Sequence, residues 1–173
     1  LVAVAWKQRS VPSALPFGAM MLAVAAWAFA DAGFLLAETR QAAYVAESVI
    51  RAASSQVPPL WVLFVLVFAG YDRWVNWRTI AALWVVPMTY VFVTLTAPLL
   101  GLASTPADVI FLTTNGIRAP VVEAGIAHDF HLLFAYLTMT VGYGILVSFL
   151  LRSRAVYRKQ TAIIVLGAVA PVI

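Results

Sequence analysis

Four stretches of this chain run for 20 residues or more almost without charge, and they dictate what it can fold into. They are Phe17–Ala37 (21 residues, Asp31 the one acid), Ala52–Tyr71 (20, none), Thr79–Ala103 (25, none) and Phe130–Leu151 (22, His131 the one ionisable group). A helix rising about 1.5 Å per residue needs about 20 residues to cross the roughly 30 Å hydrocarbon core of a bilayer. The runs are continuous rather than alternating, and an open sheet leaves its backbone polar groups unsatisfied in lipid, which excludes strands. Gln41–Arg51 is expected to extend the second run backward as helix. Residues 1–6 and 161–173 are apolar but too short to cross alone, and read as the cut ends of two further helices. The expected fold is an all-α integral membrane protein, an up-and-down transmembrane bundle. Its spans fall at about 1–6 (partial), 17–37, 42–71, 79–103, 130–151 and 161–173 (partial). Six helices are thus in view of an expected seven, in one domain over 1–173 truncated at both ends.

The composition agrees. Of 173 residues, 64% are hydrophobic and 10% charged, against about 25% charged in soluble domains. That is too little polar surface for a cytosolic enzyme, a nucleic-acid binder or a disordered linker. Cysteine is absent, so there is no disulfide framework, thiol nucleophile or thiolate metal cage. The apolar start lacks the positively charged opening of a signal peptide.

The eleven cations are unevenly placed. Lys7, Arg9, Arg73, Arg78, Arg152, Arg154, Arg158 and Lys159 fall in the connectors of one side; Arg40, Arg51 and Arg118 fall on the other, beside five of the seven acids. Positive connectors stay in the cytoplasm. Loops 7–10, 72–78 and 152–160 are therefore expected to be cytoplasmic, and loop 104–127 extracellular. Trp6, Trp74, Trp77 and Tyr157 suit interfacial anchors beside the basic residues. Asp72-Arg73-Trp74 reads as interfacial charge.

Prolines 58, 59, 87, 98 and 171 lie inside expected spans, and Pro58–Pro59 should bend the third helix in its outer half. The long outer loop has structure of its own. Val109-Ile-Phe-Leu-Thr favours strand, Asn115-Gly116 suits a type I′ turn, and Val121-Val-Glu is the expected returning strand, with Pro120 confining it to an edge.

Few residues are able to carry chemistry. Asp31 is the only carboxylate within the four long apolar runs, and a charge at the bilayer centre costs at least about 2.5–3.5 kcal/mol. It is expected to face the bundle, either as a hydrogen-bonded structural acid or as part of a ligand site. Met20, Trp27, Asp31 and Phe34 share one stripe of that helix; Ala19, Ala23, Ala26, Ala30 and Gly33 form another, suited to close helix contact. His128 and His131 are one helical turn apart with Glu123 upstream, a weak metal candidate, a pH-sensitive pair, or ordinary helix-start histidines. No catalytic motif is present, and no cofactor is expected.

The order of several segments resembles the N-terminal seven-transmembrane region of prokaryotic sensor histidine kinases. These are Trp27-Ala-Phe-Ala, Val57-Pro-Pro-Leu-Trp-Val-Leu-Phe, Thr94-Leu-Thr-Ala-Pro-Leu-Leu, Glu123-Ala-Gly, Phe130-His-Leu-Leu-Phe-Ala-Tyr, Tyr157-Arg-Lys-Gln-Thr-Ala and Gly167-Ala-Val-Ala-Pro171. The resemblance covers nearly the whole chain. His131 and Tyr136 fit its fifth-helix pattern. Ala97 and Leu100 stand where the family pattern often has Asn and His, and Phe34 where it tends to have an acid; Asp31, one turn earlier on the same face, is a substitute.

The resemblance implies a non-catalytic sensory input module that passes a small-molecule or membrane signal to cytoplasmic output domains, with two-component signalling as its context. Homodimerisation through the parent kinase is expected by the same analogy. The candidate ligand pocket comprises Trp27, Asp31, Trp61, His131 and Tyr136 in the outer half. A small transporter, without the inverted repeat such proteins usually show, and a noncatalytic subunit of a membrane complex are the competing readings. A retinal protein is disfavoured, since no span in view bears the required lysine. The bilayer is the one certain partner of such a chain, and nucleic acid is not expected.

Overall fold

The computed structural model describes residues 7, 11–100, 108–114, 117–122 and 125–152. Its elements are α1 (Ala14–Leu35), α2 (Arg40–Ser54), α3 (Val57–Phe68), a 3-10 turn (Asp72–Trp74), α4 (Trp77–Leu100), β1 (Ile110–Thr114), β2 (Ile117–Val121) and α5 (Ile126–Arg152). Among the described residues, four helical segments are long and apolar enough to cross a membrane: α1, α2 continued by α3 (Arg40–Phe68), Trp77–Thr96 of α4, and α5. The expected partial spans 1–6 and 161–173, and the basic segment 153–160, lie outside the described residues.

Helix boundaries follow backbone chemistry more than hydropathy. α1 begins three residues ahead of the apolar run, with Pro16 in its first turn, where a missing N–H leaves no bond unmade. α4 begins at Trp77 because Asn76 Oδ1 accepts from the amides of Arg78 (3.0 Å) and Thr79 (3.2 Å), satisfying two donors at the helix start. α5 begins at Ile126 rather than Phe130. Asp129 ends the apolar count, yet an acid in the first turn complements the positive end of the helix dipole. α3 ends in a Schellman motif: Tyr71 N–H donates to Leu66 O (2.8 Å) and Gly70 N–H to Val67 O (3.1 Å). Gly70 has φ +76°, a left-handed conformation open to glycine without penalty from a Cβ.

The expected proline bend is an interruption just upstream of the proline pair. α2 stops at Ser54 and α3 starts at Val57, with Ser55 and Gln56 between them. Pro58 and Pro59 have no N–H to donate to the carbonyls of Ser54 and Ser55 four residues earlier, and proline is tolerated in a first turn, so the helix restarts at Val57. Ser55 and Gln56 stay near helical dihedrals, so α3 continues α2 as one span without turning back. The Gln56 side chain fastens this junction. Its Nε2 donates to Ala52 O (3.2 Å) and Ser55 Oγ (2.9 Å), while its Oε1 accepts from the Trp84 indole of α4 (2.8 Å).

α3 is the hub of the described bundle, and every residue from Trp61 to Leu66 is buried. It packs against α1 and α5, α1 against α2, and α4 against α5. The core gathers Met20 of α1, Trp61, Phe64 and Val65 of α3, and Leu146 of α5. The outward faces of α1, α4 and α5 are also apolar: Phe29 is 82% exposed and Phe130 66%, with Leu22, Phe92 and Leu137 exposed alike. Patches this extensive are foreign to water-solvated monomers.

β1 and β2 form the expected antiparallel hairpin, in register from Ile110↔Val121 to Thr114↔Ile117. Asn115 and Gly116, outside the described residues, lie between the closing pair. The returning strand is Ile117–Val121, not Val121–Glu123, because a two-residue connection makes pairing resume at once. Alternating outward from the closing pair places Phe111↔Pro120 at a non-hydrogen-bonded position, where the absent proline N–H removes nothing from the ladder.

Candidate functional site

Polar groups inside an apolar bundle must find partners, and here they converge on Tyr90. The α4 residues Val85, Val86, Thr89, Tyr90 and Val93 follow an i, i+1, i+4, i+5, i+8 pattern, one face of a helix. On α5, Ile126, Ala127, Phe130 and His131 repeat the same spacing at its first turns. The two faces enclose a groove of about 380 Å³, apolar except where Thr89, Tyr90 and His131 reach it. The Tyr90 ring stacks on the His131 imidazole, with centroids 4.5 Å apart and planes 4° from parallel. Its hydroxyl hydrogen-bonds His128 Nδ1 at 3.0 Å. One tyrosine thereby holds both histidines, whose three-residue separation puts them on one side of α5.

His131 is 6% exposed, and its Nδ1 has no hydrogen-bond partner among the described residues. Such an atom in a native interior calls for explanation. On α2, Arg51 Nε donates to Glu47 Oε1 at 2.8 Å, and α2 packs against α4, the helix that carries Tyr90. Thr94 bonds back to Tyr90 O (2.9 Å), so its hydroxyl is satisfied within α4.

The five residues expected to form a pocket are dispersed. His131 lines the α4–α5 groove. Trp61, 4% exposed, lies in the core against Phe64, Tyr143 and the backbone of Gly142. Trp27, Asp31 and Tyr136 are exposed, and among the described residues none is joined to His131 or Trp61 by a hydrogen bond, ion pair or ring contact. Asp31 sits four residues before the end of α1, far from the middle of that helix, where the burden of a charge is smaller than at a bilayer centre. Glu123 lies outside the described residues. Among those described, no three His, Cys, Asp or Glu side chains are arranged to hold a metal ion, and His128 Nδ1 is engaged by Tyr90.

Tyr90, Gln56 and Trp84 are the participants that sequence reasoning misses. A signal was present for the first: Tyr90 is the only tyrosine in Thr79–Ala103, and a phenol in lipid needs a hydrogen-bond partner.

A family model described as the N-terminal 7TM region of histidine kinase matches residues 1–173. No curated protein and no solved structure matches the chain.

Proposed function

This chain belongs to the N-terminal 7TM region of histidine kinases, and from that premise we propose that the contact of Tyr90 with His128 and His131 is where it senses its signal. A region of this family is a membrane sensory input domain in two-component signalling and is not itself catalytic; kinase activity lies in other domains. The observation that carries the proposal is the concentration of polar groups on Tyr90 within an apolar bundle. Intramembrane ionisable groups are expensive to keep and are functional by default. A signal that prefers one arrangement of α4 against α5 shifts the balance of arrangements by the difference of its affinities. Asp31, Trp27, Trp61 and Tyr136 belong to the proposal only as further contacts of the signal.

The test is phosphorylation output of the parent kinase. Tyr90→Phe keeps the ring and removes the hydrogen bond to His128, which contributes about 0.5–1.5 kcal/mol. Basal output is therefore expected to move by about 2- to 10-fold. His131→Phe keeps the stack and removes the nitrogens, and is expected to alter the response to signal. If both variants, with Asp31→Asn, match wild type in basal and stimulated output, the site is misplaced.

In the proposed topology the bundle crosses the bilayer as part of a seven-helix array. Loops 7–10, 72–78 and 152–160 are cytoplasmic, the β1–β2 hairpin is extracellular, and pairing occurs through the parent kinase. Exposed apolar faces on α1, α4 and α5 support lipid as the solvent; exposed Arg73, Trp74, Trp77 and Arg78 in one connector support a basic, aromatic interface. The chain has no cysteine, which makes a labelling test clean. Leu112→Cys in β1 is expected to react with an impermeant maleimide on intact cells, and Arg73→Cys only after lysis. The reverse pattern inverts the topology.

A further inference from the structure

The α4–α5 groove has a composition that selects among ligands. Among the described residues its lining contains no Lys or Arg, and Arg51 of the neighbouring α2 is already bonded to Glu47. Among the described residues no Asp or Glu lines it either, so a carboxylate or phosphate ligand finds no counter-charge in the lining. Valines and Phe130 offer an aliphatic body its surface. At about 380 Å³ the groove lies at the small end of the range for ligand pockets, about 300–1,000 Å³.

One buried polar atom of a groove-lining residue has no partner among the described residues. It is His131 Nδ1, whereas the Tyr90 hydroxyl is committed to His128. A neutral imidazole carries one N–H and one lone pair, and orphaned buried N–H groups are rarer than under-satisfied acceptors. Nδ1 is therefore assigned as the acceptor, and what it lacks is a donor. We propose that the groove binds an uncharged amphiphile with an aliphatic body and a hydroxyl group, and that this hydroxyl donates to His131 Nδ1. The proposal rests on the reading of Tyr90, His128 and His131 as the sensing locus and gives that site a ligand class. Nδ1 is covered by the bundle, so in this proposal the hydroxyl reaches it only in an arrangement of α4 against α5 that uncovers it. The ligand gains a hydrogen bond in that arrangement alone, which is the differential affinity a sensor requires.

The experiment is calorimetric titration of the full chain in phosphatidylcholine nanodiscs, with empty nanodiscs as reference for partitioning. Three probes share an aliphatic body: 1-decanol donates a hydrogen bond, decyl methyl ether only accepts one, and decanoate is anionic. Decanol is expected to bind saturably, at least about tenfold tighter than the ether and than decanoate; one hydrogen bond to a buried acceptor is worth about that factor. His131→Phe is expected to bring decanol to the level of the ether. Val86→Trp, which fills the groove and leaves His131 in place, is expected to abolish saturable binding of both; retained helix content by circular dichroism shows that each variant is folded. Equal binding of alcohol and ether overturns the proposal in favour of a generic lipid-chain groove. Tighter decanoate binding, indifference to Val86→Trp, or no saturable decanol binding overturns it too. Kinase output separates the two levels. If decanol fails to bind but Tyr90→Phe changes output, only the ligand class is wrong. If decanol binds as expected but output ignores Tyr90→Phe and His131→Phe, the groove is a ligand site and its sensing role is wrong.

Discussion

Replacing Gly142 with alanine is expected to destabilise the bundle by about 1–3 kcal/mol, the usual range for overpacking a close-packed interior. A Cβ at Gly142 would lie 2.7 Å from Trp61 Cδ1 and 3.2 Å from Cε2, and closer still to Nε1. The indole has little freedom to give way, being flanked by Tyr143 at 5.4 Å and Phe64 at 6.0 Å between ring centroids. Helices that associate in lipid gain by letting backbones approach, and Gly142 is where α5 admits the largest side chain of α3. Gly144 is the matched control. Nothing lies within 4 Å of a Cβ added there, and alanine is favoured over glycine in a helix by about 0.5–1 kcal/mol. Unfolding in graded dodecyl sulfate and dodecylmaltoside mixtures should therefore show opposite signs for two glycine substitutions two residues apart. Trp61→Ala in the Gly142→Ala background should be less damaging than the two single losses added together. Equal effects at Gly142 and Gly144 would show that the indole does not rest on the α5 backbone.

The four long helical segments were legible because a run of 20 uncharged residues has few alternatives, and the hairpin because Asn115-Gly116 separates two β-prone segments. The faces of the helices were not. In a water-soluble helix the polar face marks the outside; here Phe29 and Phe130 point outward while Phe64 and Val65 point inward, and all four are apolar. Periodicity placed Trp27 and Asp31 on one stripe correctly, yet a stripe has no inside when both solvents are oil-like. The site was half legible for the same reason. His131 stood out as the only ionisable group of its run. Tyr90 depends on a partner 38 residues away, and Gln56 on Trp84, 28 residues away; no local pattern encodes either pairing. Hydropathy also placed the start of the last long run at Phe130, whereas α5 begins at Ile126 and takes in His128 and Asp129.

Removing Glu47 is expected to have an effect of similar or larger size, because it strands a cation. Arg51 is 8% exposed, and its charge is answered within α2 by Glu47, one turn earlier. Glu47→Leu leaves that guanidinium buried without a counter-charge, a change worth on the order of 3–5 kcal/mol in protein interiors. Arg51→Leu should be milder, since the Glu47 side chain is 21% exposed and retains access to water. The double variant Glu47→Leu/Arg51→Leu should recover most of the loss, because two apolar side chains of similar bulk replace an ion pair at little net cost. The same micellar unfolding assay yields the full cycle, and a double variant as unstable as Glu47→Leu alone would show that the guanidinium is held by more than this pair. The cycle also separates stability from signalling. The pair sits on α2, which packs against α4, the helix of Tyr90, so a double variant of near-normal stability has lost charges beside the proposed sensing contact. Its kinase output should differ from wild type even where its unfolding does not; output that follows stability across all three variants would confine the pair to holding α2 in place.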